Sequence, residues 1–213
     1  MTLYAIVGAR PRRSLGKGVS GKALHVVEAG GAAVVTERAP AASATPEAIR
    51  AHDRVVRRIA AASPSVLPFR FGSAVRDDAA LTAALAPVAS AIGRALALVE
   101  ECVQFTIRVY GEASPPPRPA RSAGPGARWL GARMAARRAP EIDAVTEATA
   151  MFVRAAKTVR HDRAPLVASV YHLVPKASVR RYRAALASSS ADLAQVKVET
   201  SGPWPAYAFA ELL

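Results

Sequence analysis

The residues of this sequence that could do chemistry are few, and they do not assemble a reaction site. His52 could serve as a general base, which requires an acid to orient it and a nucleophile within hydrogen-bond reach. The nearby carboxylates of Glu47 and Asp53 do not share a helical face with His52. Cys102 follows two consecutive acidic residues, which disfavour the thiolate that a catalytic cysteine needs. We therefore predict no catalytic residue and no enzymatic activity.

Metal and cofactor sites are not indicated either. No cluster of cysteine and histidine has the spacing of a zinc site, and one cysteine in 213 residues excludes an internal disulfide framework. The glycine-rich segment Gly16–Gly21 contains Lys17 and precedes Lys22, but it lacks the spacing of a phosphate-binding loop. We predict that this segment is a mobile turn and that the chain has no cofactor and no metal.

The strong positive charge gives information about binding partners but not about the fold. The formal net charge is +13, mainly from arginine. A basic surface raises the rate of encounter with any acidic partner, protein or nucleic acid, in a salt-dependent way. Trp129 lies among four arginines, and basic plus aromatic residues can bind a single-stranded nucleic acid; they are Arg128, Arg133, Arg137 and Arg138. No recognised nucleic-acid module is present, so a basic nucleic-acid-binding regulator stands as an alternative function.

The sequence carries no pattern of export or membrane insertion. The apolar stretch at 2–9 is short and is followed by arginines, the reverse of the charge order of a signal peptide. No apolar run is expected to approach the roughly 18 residues that span a bilayer. We predict a cytoplasmic protein with no membrane partner.

Hydrophobic periodicity predicts an α+β fold of two sandwich-like halves. In the N-terminal domain, 1–100, the predicted elements are strands at 3–8, 24–28, 33–36 and 66–72, a helix from Thr45 to near Ser63, and a helix from Asp77 to Val99 kinked at Pro87. In the C-terminal domain, 101–213, they are strands at 101–110, 166–174 and 195–200, a Pro-rich loop at 112–126, a helix at 127–159 interrupted near Pro140, and a short helix from Ser178. This second half resembles a modified ferredoxin-like fold.

Three segments carry a resemblance to a known family. They are the opening strand Leu3–Gly8, the pair His52–Val56 and Val66–Gly72, and the string Ser201–Phe209, in which two prolines bracket Trp204. In order and spacing they resemble the gas vesicle proteins of the GvpL/GvpF family, whose signatures read LPxRFG and GPWPPYxF. Ala206 stands where that family usually has a proline, and the chain is more basic than the family leads us to expect.

The resemblance implies a two-domain α+β fold and a role in assembling the gas-filled protein shell. It implies contact with the small hydrophobic shell protein GvpA and with other Gvp accessory proteins, as an assembly factor or a minor structural component. It implies no cofactor and no reaction, and it predicts that the protein is found with gas vesicles in the cytoplasm.

Seven residues are the candidates for structural or partner-binding roles: His52, Phe69, Arg70, Phe71, Trp204, Tyr207 and Phe209. The spacing places His52 on the inward stripe of its helix and the two strand phenylalanines in the core. Arg70 faces the other way and is predicted to form an ion pair with Asp77 or Glu101. The three tail aromatics either lock the C-terminus onto the core or form a partner-binding patch.

Overall fold

The computed structural model describes residues 1–9, 11, 14–111, 124, 126–127, 129, 139–190, 193 and 196–211. The chain forms two compact units, one of Met1–Val103 with Trp204–Leu213 and one of Gln104–Pro203. Each unit contains a four-stranded antiparallel sheet and helices, which confirms the predicted α+β class. The sequence-based division assigned all of 101–213 to the second half, whereas the contacts of the last ten residues place them in the first unit.

The sheet of the first unit is built from the predicted opening strands. Its strands are β1 (Thr2–Val7), β2 (Leu24–Ala29), β3 (Ala32–Glu37) and β4 (Val66–Pro68), in the order β2-β3-β1-β4. Every residue of β1 and β3 is buried, including the polar Thr36 and Glu37 at the end of β3. Gly30 and Gly31 join β2 to β3 with φ values of 56° and 79°, a conformation that favours glycine. The predicted hairpin is confirmed.

The helix α1 (Pro46–Ala62) begins and ends where local signals place it. The Thr45 side chain accepts a hydrogen bond from the Ala48 backbone N–H, Pro46 occupies the first turn, and Ser63 ends the helix in an extended conformation. The inward stripe carries His52, Val55, Val56 and Ile59. Ile49, predicted on that stripe, is 48% exposed because it lies in the first turn at the margin of the buried arc.

The second helical segment is broken where proline predicts. Helices α2 (Asp78–Leu85) and α3 (Ala89–Val99) are separated by a 3₁₀ turn that contains Pro87. Taken together, Asp78–Val99 is long and apolar enough to cross a membrane by length and composition. The expectation that no apolar stretch approaches that length is therefore wrong, because alanines dilute the two charges of the segment. In the structure these helices pack on β2, β3 and β4.

The strand β4 is shorter than predicted. Among the described strands it pairs only with β1, and it lies at the edge of the sheet, a position that suits Pro68. Beyond Pro68 the chain turns: the Ser73 N–H donates to the Arg70 carbonyl, and Gly72 has a φ of 86°. The predicted strand to Gly72 is wrong at its end, although Phe69 is buried as expected.

The sheet of the second unit consists of β5 (Cys102–Tyr110), β6 (Ala155–Arg160), β7 (Leu166–Pro175) and β8 (Lys197–Trp204), in the order β6-β7-β5-β8. Helix α4 (Asp143–Thr149) precedes β6, and helix α5 (Val179–Ser190) lies between β7 and β8. The described elements follow the order β-α-β-β-α-β of a split βαβ unit. The closer likeness to a ferredoxin-like fold stays a prediction.

The helix predicted at 127–159 is wrong at its C-terminal end. Residues Ala155–Arg160 form a strand that pairs antiparallel with β7, from Ala155 opposite Leu173 to Arg160 opposite Ala168. Val159, expected on the buried helical face, is 42% exposed. The backbone hydrogen bonds that make this segment a strand come from β7, so the local sequence alone does not predict them. Most of the predicted loop at 112–126 and most of 127–138 lie outside the described residues.

The strand β5 is buried on both faces. Gln104 and Thr106 were expected to face outward, yet they are 4% and 7% exposed, and the Gln104 side-chain amide donates to the Thr106 hydroxyl at 3.2 Å. In the sheet β5 lies between β7 and β8, so both its edges are paired as well. Arg108 is exposed, as its alternation predicts.

Candidate binding surfaces of the first unit

A buried carboxylate organises one end of the first sheet. Glu37, the last residue of β3, is 1% exposed. One of its oxygens accepts the Tyr4 hydroxyl at 2.6 Å, and the other accepts the Ser20 hydroxyl at 2.6 Å and the Lys22 backbone N–H at 3.0 Å. The Ser20 backbone N–H also donates to the carboxylate, at 3.1 Å. We call Tyr4, Ser20 and Glu37 the Glu37 cluster.

Local structure places these groups together. The pairing of β1 with β3 is irregular between Leu3 and Ala5, so a bulge falls at Tyr4, and bulges commonly redirect a side chain. Gly18 approaches the cluster so closely that a Cβ there would lie 2.3 Å from a Glu37 carboxylate oxygen. Only glycine fits at this point of the loop.

The loop around Gly18 is held by hydrogen bonds, and its description as a mobile turn is wrong. The Arg58 guanidinium of α1 donates to the carbonyls of Leu15 at 2.6 Å and Lys17 at 2.5 Å. The Val19 backbone N–H donates to the Tyr4 hydroxyl at 2.8 Å. Tertiary contacts from β1, β3 and α1 therefore fix a segment whose composition alone suggested freedom.

Burial and hydrogen bonding act in opposite directions on the Glu37 carboxyl. Burial alone would raise its pKa, but the hydrogen bonds from Ser20, Tyr4 and the Lys22 backbone outweigh burial and lower the pKa below its usual value. Burial is also the largest influence on Tyr4, whose hydroxyl pKa is raised further by the adjacent Glu37. The cluster therefore holds an ionised carboxylate beside a neutral phenol at neutral pH.

The structure brings three of the predicted residues together next to this cluster. The His52 ring stacks on Tyr4 with a centroid distance of 5.1 Å and meets Phe71 edge-on at 5.7 Å. Its Nε2 lies 3.3 Å from the Phe69 carbonyl oxygen, so Nε2 is the protonated nitrogen that donates. Burial lowers the pKa of His52, and the imidazole is neutral at neutral pH. His52 is thus a satisfied buried histidine.

A cavity of about 310 Å³ opens between the cluster and the aromatic rings. Its wall includes Tyr4, Glu37, His52 and Phe71, and the linker 40–43 closes one side. The linker residues are exposed, whereas Tyr4, Glu37 and His52 are buried.

The C-terminal aromatic segment lies on the same unit. The Arg57 guanidinium of α1 sits 4.2 Å from the centroid of the Trp204 ring, and its Nε donates to Asp53 at 2.7 Å. Tyr207 packs against the core of the unit, and burial raises its hydroxyl pKa. Phe209 is half-buried in a 3₁₀ turn. The Trp204 and Tyr207 rings contact the unit, and all three rings keep part of their surface exposed. Locking of the tail and binding of a partner therefore both stay predictions.

Arg70 does not form the predicted ion pair with Asp77. Asp77 accepts the Ala80 backbone N–H at 2.8 Å, which caps α2, and the Arg76 side chain at 2.9 Å. Arg70 is exposed, and within the described ranges no carboxylate lies within ion-pair distance of it.

The comparisons with known proteins agree with this fold. The model of the family described as gas vesicle synthesis protein GvpL/GvpF matches residues 1–211. This chain belongs to the GvpL/GvpF family. The fold is similar to crystal structures of gas vesicle protein GvpF from Anabaena sp. PCC7120 (TM-score 0.73, 12% identity, 98% of this chain and 94% of that chain) and from Microcystis aeruginosa (TM-score 0.74, 12% identity, 98% of both chains). A comparison with curated proteins gives no match.

Sequence reasoning missed the Glu37 cluster in this GvpL/GvpF chain. One signal was available: Glu37 continues an apolar run that starts at Ala32, and an acidic residue there is unusual. Its partners are 15 to 33 residues away, so no local pattern reveals them.

In the part of the chain that the structure describes, no three His, Cys, Asp or Glu residues could hold a metal ion. Four arginines of the basic stretch around Trp129 lie outside it.

Proposed function

We propose that this protein acts in gas vesicle assembly by binding, and that it contacts the shell protein GvpA or other Gvp accessory proteins in the cytoplasm. Membership of the GvpL/GvpF family supports the general role. The mechanism needs association alone, with no bond made or broken.

The observation that carries the proposal is the outward face of Asp78–Val99. Five residues of this apolar segment are buried, and Arg94 is the one charged residue between Asp78 and Glu100. Exposed residues on this segment include Ala79, Ala83, Ala84, Ala86, Pro87, Gly93, Ala97 and Leu98. An exposed apolar surface of this extent suits a hydrophobic protein partner. We call it the α2–α3 face.

Charge and apolar contact would contribute to different steps of this association. Burial of the α2–α3 face would supply most of the affinity, since small apolar side chains allow close packing. The net charge of +13 would raise the rate of encounter with an acidic partner, and that rate should fall as salt rises.

The test is a binding measurement between the purified chain and GvpA at low salt. Ala83→Glu and Ala97→Glu place a charge on the α2–α3 face while keeping a good helix former, and each should weaken binding at least about tenfold. Ala44→Glu, in the exposed linker, is the matched control and should bind as the native chain does.

Two results would overturn the proposal. If the native chain binds neither GvpA nor another Gvp accessory protein at low salt, the assembly role fails. If all three variants bind equally, the α2–α3 face is not the contact. Steeply salt-dependent binding of RNA or DNA in place of these proteins would favour the nucleic-acid alternative.

A further inference from the structure

The Glu37 carboxylate is a buried charge that has no counter-charge among the described residues. Its donors are the Tyr4 and Ser20 hydroxyls and two backbone N–H groups, all of them neutral. Within the residues that the structure describes, no lysine or arginine side-chain nitrogen lies within ion-pair distance of it. Buried charges in proteins are ordinarily paired with an opposite charge, because removing one from water is costly. In the described part of the chain, therefore, hydrogen bonds alone offset the burial of this charge.

The cavity beside Glu37 has room for one. Its volume of about 310 Å³ is at the small end of the range for ligand sites, which corresponds to one side chain or a small molecule. Among the described residues that line it, Glu37 is the one charged side chain. A positively charged group that enters the cavity would therefore meet no other cation among these lining residues.

The remaining walls also favour a cation. The Tyr4 ring is stacked on His52, and the Phe71 ring stands nearly perpendicular to His52 at 84°. Aromatic faces attract ammonium and guanidinium groups, more strongly when water is excluded. Because His52 Nε2 donates to the Phe69 carbonyl, the other ring nitrogen carries a lone pair and the ring carries no charge.

We propose that this cavity binds an alkylammonium or guanidinium group. The group would come from a lysine or arginine side chain of a partner protein, or from a small free amine or guanidine. The cation would pair with Glu37 while its alkyl chain lies against Tyr4 and Phe71. This site is separate from the α2–α3 face and does not depend on the proposed assembly role.

The first test titrates the full-length chain with three probes of equal size and follows backbone amide resonances by NMR. The probes are n-butylguanidinium, n-butylammonium and the neutral n-butylurea. The two cations should give saturable shifts near Tyr4 and Ser20 with Kd values of about 1 mM, and n-butylurea should bind at least about tenfold more weakly. Equal affinity for cation and urea, or no saturation by either cation at roughly 100 mM, would overturn the proposal.

Variants locate the site. Ala42→Trp fills the cavity from the exposed linker, and Ala44→Trp adds the same bulk outside it. Ala42→Trp should lower the affinity for n-butylguanidinium at least about tenfold, and Ala44→Trp should leave it unchanged. Glu37→Gln removes the charge and should have the effect of Ala42→Trp. If Glu37→Gln does not fold, the two linker variants still decide, and native affinity in Ala42→Trp contradicts the site.

A peptide distinguishes the two sources of the cation. The probe is an acetylated and amidated pentapeptide with one arginine between alanines, compared with n-butylguanidinium. Tighter binding of the peptide supports a side chain of a partner protein, because backbone contacts with the linker would add affinity. Tighter binding of n-butylguanidinium supports a small free ligand.

Discussion

Each unit of this protein buries a histidine against a tyrosine, and the two pairs are used differently. In the second unit, His172 meets Tyr182 edge-on at 75°, and the Tyr182 hydroxyl is hydrogen-bonded to His172 Nδ1 at 3.0 Å. In the first unit, His52 stacks on Tyr4 at 22°, and the Tyr4 hydroxyl donates instead to Glu37. In the second unit the histidine and the tyrosine are hydrogen-bonded to each other, whereas in the first unit the tyrosine is hydrogen-bonded to a charged carboxylate.

This difference shows how a third residue changes the role of a common pair. Burial alone lowers the pKa of His172 to about 4 and raises that of Tyr182, so the second pair is neutral and contributes packing. In the first unit Glu37 takes the tyrosine hydroxyl, and the histidine turns to the Phe69 carbonyl. A charged group beside a cavity is the result, and this is why we assign ligand binding to the first unit.

Acid should weaken the second pair most. His172 has a pKa of about 4 in the fold and an ordinary value of 6.5 when unfolded. Between these two pKa values the unfolded chain binds a proton at His172 and the folded chain does not. The free energy of unfolding therefore falls as the pH drops from 6.5 to about 4. At pH 5 the loss from this residue should be about 2 kcal/mol. Urea unfolding at pH 7.5 and pH 5 measures it.

The control for this effect is a pair of histidine variants. His172→Phe should lose less stability than the native chain between the two pH values, by about the 2 kcal/mol that His172 contributes. His25→Gln, at an exposed position of β2, should keep the native pH dependence. If the free energy of unfolding of His172→Phe depends on pH as that of the native chain does, His172 is not buried in its neutral form.

Removing each tyrosine hydroxyl should separate the two pairs. Tyr4→Phe removes one of the hydrogen bonds to the Glu37 carboxylate and leaves the Val19 N–H without its acceptor. It should cost about 2 kcal/mol, since hydrogen bonds to charged groups are the stronger kind. Tyr182→Phe removes one neutral hydrogen bond and should cost about 1 kcal/mol. Unfolding free energies at pH 7.5 measure both. A larger cost for Tyr182→Phe would reverse our reading of the two pairs.

The smallest effect is expected at the tail of the first unit. Arg57→Gln removes both the cation over the Trp204 ring and the ion pair with Asp53, and should cost about 0.5–1 kcal/mol because the side chain is partly exposed. Arg50→Gln, whose pair with Glu47 is exposed and 3.7 Å long, should cost close to nothing. Urea midpoints of the two variants give the comparison. A cost above about 2 kcal/mol for Arg57→Gln would make the tail a core element.

Elements with strong local signals were predictable. Thr45 and Pro46 locate the start of α1, Gly30 and Gly31 specify the hairpin, and Pro87 breaks the second helical segment. These signals act within a few residues, through capping, a left-handed turn and a missing backbone donor. The strand at Ala155–Arg160 was not predictable in this way, because its hydrogen bonds come from β7.

The candidate site was only partly predictable for the same reason. The inward position of His52 followed from helical spacing, and burial of Phe69 followed from alternation. Spacing could not show that the His52 ring stacks on Tyr4, which lies 48 residues earlier, or that Tyr207 packs on the core of the first unit.

The amino-acid sequence by itself determined the family, the α+β class and the order of most helices and strands, because these depend on short motifs and on the periodicity of apolar residues. Tertiary structure alone decided that the last ten residues join the first unit and that Glu37 is buried among neutral donors beside a cavity. The physical reason is the distance along the chain between the residues that interact. A cap or a turn is settled by neighbours in the chain, whereas the environment of a charge is settled by whichever distant strand, loop and helix surround it.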